Sequence, residues 1–158
     1  MAKGSGIILA SEPRGVFLEG IISGTDKPGT VMQVLAATEP VGERFTWTVF
    51  DAAADGDQRL IAVLLPKDNE GGLATAAYVT GDRCFLYIPA MGEELNMLVA
   101  NVEGTGDSFA ISDIMMVDDG TGKLIATTGS PESEPFIIME TVAALTADTL
   151  VRCMFTGY

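Results

Sequence analysis

Apolar residues in this chain fall into short runs bounded by Gly, Pro, Asp and Thr, and few of the runs recur at helical spacing. That pattern predicts strands, whose successive side chains face opposite sides of a sheet, rather than helices, which repeat about every 3.6 residues. The first strands are expected at residues 15–22 and 30–36, with the turn Gly24-Thr25-Asp26-Lys27-Pro28-Gly29 between them. Residues 45–50 alternate, placing Phe45, Trp47 and Val49 on one face, and residues 60–65 form an apolar strand stopped by Pro66.

Further strands are expected at residues 83–88, 95–102, 136–142 and 150–155, with residues 93–99 able to make a helical turn instead. The strongest hairpin signal is residues 114–117, then Asp118-Asp119-Gly120-Thr121-Gly122, then residues 123–127. An Asp/Gly loop between two apolar strands supplies the positive-φ positions such a turn needs. Many short strands without long amphipathic helices predict a mainly β fold, a compact barrel or sandwich with little helix. The sequence shows no internal repeat. Residues 1–14 read as a flexible N-terminal arm and residues 15–158 as a single β-rich body, one domain by length.

Composition adds an assembly expectation. The chain is 47% hydrophobic with mean hydropathy +0.31, yet it carries a formal charge of −13. Apolar surface buried both inside a subunit and between subunits reconciles these values, so a small homo-oligomer is expected. The nine basic residues are scattered singly, which argues against nucleic acid, whose binding depends on Lys and Arg neutralising phosphates. The apolar stretch near the start is too short for a signal peptide, and no run approaches the 18 or so residues that span a bilayer. A cytoplasmic site of synthesis and no membrane partner are expected.

Candidate chemistry is sparse. There is no histidine, which removes the commonest general base and metal ligand. Cys84 and Cys153 lie in apolar runs and read as buried free thiols, with a disulfide between them left open. Gly120-Thr121-Gly122-Lys123 has Val117 where a phosphate loop needs glycine and Leu124 where it needs Ser or Thr, so it reads as a turn. Nor do its neighbours match those of a lipoyl- or biotin-carrying lysine. The pairs Asp55/Asp57, Asp118/Asp119 and Glu132/Glu134 lack calcium-loop spacing and read as solvated loop carboxylates, and Glu93-Glu94 as a solvated turn. The methionines read mostly as core, and Trp47 and Tyr158 as core or contact anchors. No catalytic residue, cofactor or metal is expected.

The segment Tyr78-Val79-Thr80-Gly81-Asp82-Arg83-Cys84-Phe85-Leu86-Tyr87-Ile88-Pro89-Ala90-Met91-Gly92-Glu93-Glu94-Leu95 resembles capsid decoration (cement) proteins of tailed bacteriophages. So do the hairpin at residues 116–124 and the ending at residues 150–158, so the resemblance covers roughly residues 78–158. It implies a non-enzymatic virion protein, made in the host cytoplasm and bound outside the expanded head, where it bridges subunits of the major capsid protein. It also implies trimers or other small clusters, and an N-terminal arm that adds a strand to the capsid. Ile7, Ile8 and Leu9 would be the capsid-binding residues of that arm, the alternative being that they form an internal strand of the barrel. The rival readings are a carbohydrate- or receptor-binding module of a phage tail or fibre, and a small trimeric β-barrel enzyme of nucleotide metabolism. The first would need clustered exposed aromatics, and the second a Gly/Ser-rich phosphate cradle.

Overall fold

A computed structural model describes residues 7–8, 13–35, 44–51, 60–67, 76–101, 107–126 and 136–157. Among them are ten strands and no helix: β1 (Val16–Ile22), β2 (Val31–Val34), β3 (Thr46–Val49), β4 (Ile61–Leu64), β5 (Arg83–Ile88), β6 (Glu94–Val99), β7 (Ile114–Val117), β8 (Leu124–Ala126), β9 (Phe136–Ile138) and β10 (Thr149–Phe155). Every predicted strand is present, several of them shorter than expected, and residues 94–99 are strand rather than helical turn. The mainly β expectation holds.

The strands close into two barrels, ordered β1-β3-β2-β4-β5 and β6-β8-β7-β9-β10. The second order is the first with each strand advanced by five. Pairing repeats as well. Parallel Ile22↔Trp47 in the first barrel matches parallel Val99↔Leu124 in the second, and antiparallel Met32↔Val49 matches Met115↔Ala126. Likewise Val31↔Val63 matches Ile114↔Ile137, Val63↔Tyr87 matches Ile137↔Met154, and Gly20↔Cys84 matches Val151↔Met97.

Irregular backbone repeats too. Gly29 (φ 87°) and Ser112 (φ 79°) occupy the same left-handed position two residues before β2 and β7. Their N–H groups donate to Leu64 and Ile138, which end β4 and β9. The fold therefore contains an internal repeat that the sequence did not show. Matched strand positions are identical at Leu18/Leu95, Met32/Met115 and Val34/Val117 and otherwise share mainly apolar character. A barrel interior demands apolar volume and pattern, not particular residues.

The halves are built into one another. Ile22, Met32, Trp47, Ala62, Leu64, Tyr78, Cys84 and Leu86 fill the first barrel. The second core runs on into the first half, because Val31, Val63, Leu65 and Tyr87 pack in the same cluster as Met97, Met115, Leu124 and Phe136. Backbone bonds cross as well. In the first barrel the seam between the parallel strands continues past Ile22 with Ile21 N–H donating to the Phe45 carbonyl. At the matching place in the second barrel, Leu98 N–H instead donates to Gly29 (2.9 Å), and the Gly122 carbonyl receives the N–H of Val31 (2.7 Å). The Gly29-Thr30-Val31 segment of the first half is thus wedged into the seam of the second.

The wedge makes a sharp stability prediction. A Cβ on Gly122 would lie 2.3 Å from the Val31 carbonyl oxygen and would sit at φ 63°, whereas Gly120, at φ 82°, has open space around it. Gly120→Ala is expected to cost about 1 kcal/mol, the left-handed penalty alone. Gly122→Ala should cost several-fold more, because backbone must move. Urea unfolding of the two variants checks the order, and equal losses would mean that the wedge is not tight.

Candidate functional site

The N-terminal residues singled out by sequence are occupied within the chain. Ile7 is buried in the second core, its carbonyl accepts the N–H of Asn96 (2.7 Å), and Ile8 bridges antiparallel to Leu95 on β6. Ile7 and Ile8 thus act as a short extra strand on β6, continuing the row of bonds that Gly29 makes to Leu98. The sequence left these residues as either a capsid-binding arm or an internal strand, and their partner β6 was not legible in it. Leu9 lies outside the described residues.

Where the two barrels join on the chain, Glu93 is the centre of a polar knot. Its residue is only 3% exposed, against the expectation of a solvated turn. One carboxylate oxygen accepts the backbone N–H of Arg14. The other accepts the Tyr87 hydroxyl (2.6 Å) and the N–H of Ala90 (2.7 Å). The Tyr87 hydroxyl in turn accepts the N–H of Gly15 (2.8 Å). Burial pushes the Glu93 carboxyl upward, but these donors outweigh it and hold it below its ordinary value of 4.5. Burial, then the bond to Glu93, pushes the Tyr87 hydroxyl up to about 12. The knot ties the entry of β1, the end of β5 and the start of β6 together. Nothing in the sequence marked it: Tyr87, Ala90 and Glu93 are close along the chain, but Arg14 and Gly15 reach them only through the pairing of β1 with β5.

The other candidates are structural in the same sense. Lys123 donates to Asp148 (2.7 Å), so it is a tethered hairpin lysine and not a presented carrier lysine. Asp118 accepts the Thr121 hydroxyl within the turn, and Glu94 lies 3.6 Å from Arg152. Asp55, Asp57, Glu132, Glu134 and Tyr158 lie outside the described residues. No group of three metal-ligating side chains occurs among the described residues. Nor does any helix there have the length and apolarity to cross a membrane. Trp47 is core, at 1% exposure.

Cys84 and Cys153 sit in different cores as free thiols, so the disulfide left open by the sequence is not formed. Burial pushes both thiols up to about 12.

Several large apolar side chains are left outside. Val16, Phe17, Phe45 and Val79 of the first barrel, Met91 at the junction, and Ile111 and Ile114 of the second are all exposed. Isolated exposed apolar residues are ordinary on any protein. Here they occur on both barrels of a strongly acidic chain. Phe45 was expected to share one face with Trp47 and lies instead just before β3 with 47% of its surface open, while Trp47 is core.

No known family matches the chain, and no curated protein matches it. Among solved structures, the head fiber gp8.5 N base of bacteriophage phi29 aligns over 90% of this chain and 94% of its own, at 11% identity and a TM-score of 0.49.

Two measurements probe the site's interior. Because the Glu93 carboxyl is depressed in the folded state, its contribution is full above the unfolded value near 4.5 and is lost as pH falls through the lower folded value. Glu93→Gln keeps one acceptor oxygen but turns an N–H₂ towards groups that donate. It should destabilise by about 1–3 kcal/mol at pH 7 and lose less further stability than the parent on acidification below 4.5. Denaturant titrations at several pH values give both quantities. The buried thiols of Cys84 and Cys153 should resist a disulfide reagent in the native protein and both react on unfolding; fast native labelling would show that a barrel opens.

Proposed function

We propose that this chain is a structural protein of a tailed-phage virion that binds the outside of the expanded head and strengthens it by bridging major capsid subunits. The observation that carries the reading is the exposure of apolar side chains on both barrels of one interlocked body. Phe17 and Phe45 lie on the first barrel and Ile111 and Ile114 on the second. A clamp needs two separated contact regions that do not swing apart, and a second contact made by a body already held at the first is effectively intramolecular. The resemblance of residues 78–158 to decoration proteins supplies the kind of target. The charge of −13 suits a protein that must stay soluble at high copy number before assembly.

In this reading the body acts mechanically, without a cofactor, and small homo-oligomers on the head surface would multiply the contacts. A capsid-binding role for Ile7, Ile8 and Leu9 requires the segment to leave β6, since Ile7 is core in the free chain. Release would trade the Ile8↔Leu95 bridge for a strand edge on the capsid. A glycan-binding role finds less support, because the only tryptophan is buried in the first barrel.

Purified protein should add stoichiometrically to expanded, undecorated heads and raise their resistance to heat. Equal binding to unexpanded proheads, or no binding to either, would sink the reading, and saturable binding in a glycan array would replace it. Ile7→Asp should lower stability by about 2–5 kcal/mol, the scale of removing a buried aliphatic side chain. A variant that keeps its melting temperature yet loses head binding would show instead that Ile7 works outside the chain.

A further inference from the structure

The internal repeat allows one half to be read against the other. β1 matches β6, with Leu18 at the place of Leu95 and Glu19 at the place of Asn96. On β6 the edge turned away from β10 is filled along its length: Asn96 N–H donates to Ile7, Leu98 to Gly29 and Ala100 to Leu124. Among the described residues the corresponding edge on β1 is filled only at its end, where Ile21 N–H donates to Phe45 and Ser23 N–H to Trp47. Among the described residues no strand pairs with this edge at Phe17 or Glu19. The even-numbered residues of β1 bond to β5, as Ile22 N–H does to Asp82, so the N–H and C=O groups of Phe17 and Glu19 point to the open side. Around them Val16, Phe17 and Phe45 are 55%, 58% and 47% exposed.

We propose that this edge of β1 is a strand-acceptor site, which takes an extended apolar segment of another protein in the way that β6 takes Ile7 and Ile8. The chemistry of the occupant follows from the edge. Main-chain groups of Phe17 and Glu19 supply directional hydrogen bonds, and Val16, Phe17 and Phe45 supply apolar contact for alternate side chains. The one charge on the edge, Glu19, is already held by Arg83 and Arg44, so no ionic partner is called for.

The count of segments favours a different protein over a second copy. Each chain has two matching edges and one Ile7–Ile8 segment, and that segment is used on β6. Exchanging segments between copies leaves one edge per chain unfilled. An exposed, apolar, unblocked edge is otherwise a liability for aggregation. The site does not depend on the virion reading, since any protein with such a segment would fit it.

The test uses the whole chain and a synthetic peptide of its own residues 5–11, which carries the Ile7–Ile8 pair that sits on the matching edge. Glu19→Pro removes only the N–H on the open side and spares the β1–β5 ladder, which uses Leu18, Gly20 and Ile22. Glu19→Ala controls for the lost carboxylate. The peptide should bind the parent and Glu19→Ala saturably, bind Glu19→Pro about tenfold or more weakly, and slow amide exchange at Phe17 and Glu19. Circular dichroism and melting of Glu19→Pro establish that it is folded; should it not be, Phe17→Asp with the same exchange readout takes its place. No saturable binding to the parent, or equal binding to Glu19→Pro, overturns the site. Self-association of the parent that Glu19→Pro abolishes overturns the choice of a foreign partner. Failure of head binding with intact peptide binding would count against the virion reading alone.

Discussion

The architecture hangs on the close approach of two backbones at the seam of the second barrel. Gly29 and Val31 enter between β6 and β8 and take the bonds that those strands would otherwise make to each other. Such an approach is open only to residues without a Cβ. A side chain on Gly29 would meet the Leu98 nitrogen at 2.9 Å, and one on Gly122 the Val31 carbonyl oxygen at 2.3 Å. Both glycines also hold positive φ, at 87° and 63°. Close approach and left-handed backbone coincide at two places on facing chains. That coincidence lets a hydrogen-bonded network run from one barrel into the next instead of stopping at a side-chain interface.

The consequences spread outward from that seam. A five-stranded barrel alone has a small interior, and small domains bury a low fraction of their surface. Sharing Val31, Val63, Leu65 and Tyr87 with the second core enlarges the apolar volume available to both halves. The Glu93 knot then secures the same junction from the other side, fixing the Tyr87 ring and the entry to β1 with charge-assisted bonds. Ile7 and Ile8 cover what remains of the β6 edge. Wedge, knot and added strand all bear on β6 or its approach, which makes that strand the mechanical centre of the molecule.

Function, in this picture, grows from the difference between two halves that share a plan. The β6 edge is filled by the chain itself, whereas among the described residues nothing pairs with the matching edge of β1 at Phe17 and Glu19, whose neighbours are apolar. A duplicated fold needs no new geometry to gain a binding surface; it needs one copy of an internal contact to be missing. The exposed apolar residues on the second barrel, Ile111 and Ile114, lie in the turn before β7 and at its first residue. In the proposed function they would give the same body a second region of contact.

How much of this was legible in the sequence depends on the range of the interaction involved. Strand existence was, because alternation and turn chemistry are local: β5 and the β7–β8 hairpin stand where the apolar runs and the Asp/Gly loop put them. The apolar character of Cys84 and Cys153 and the lack of a phosphate-loop pattern at Lys123 were local too. The repeat was not legible, because a barrel interior accepts Trp47 or Leu124, Cys84 or Val151, and Leu86 or Cys153 at matching places. Identity is lost while packing and register survive. Glu93 looked like a surface acid because Arg14, which donates to it, and Gly15, which donates to the Tyr87 hydroxyl, come to it only through the pairing of β1 with β5. Ile7 looked like a free arm for the same reason. Sequence by itself determined which segments become strands, since that choice is made by neighbours along the chain. Only the tertiary structure decided which edges are filled and which are left open, since that choice is made by residues brought together from opposite ends of it.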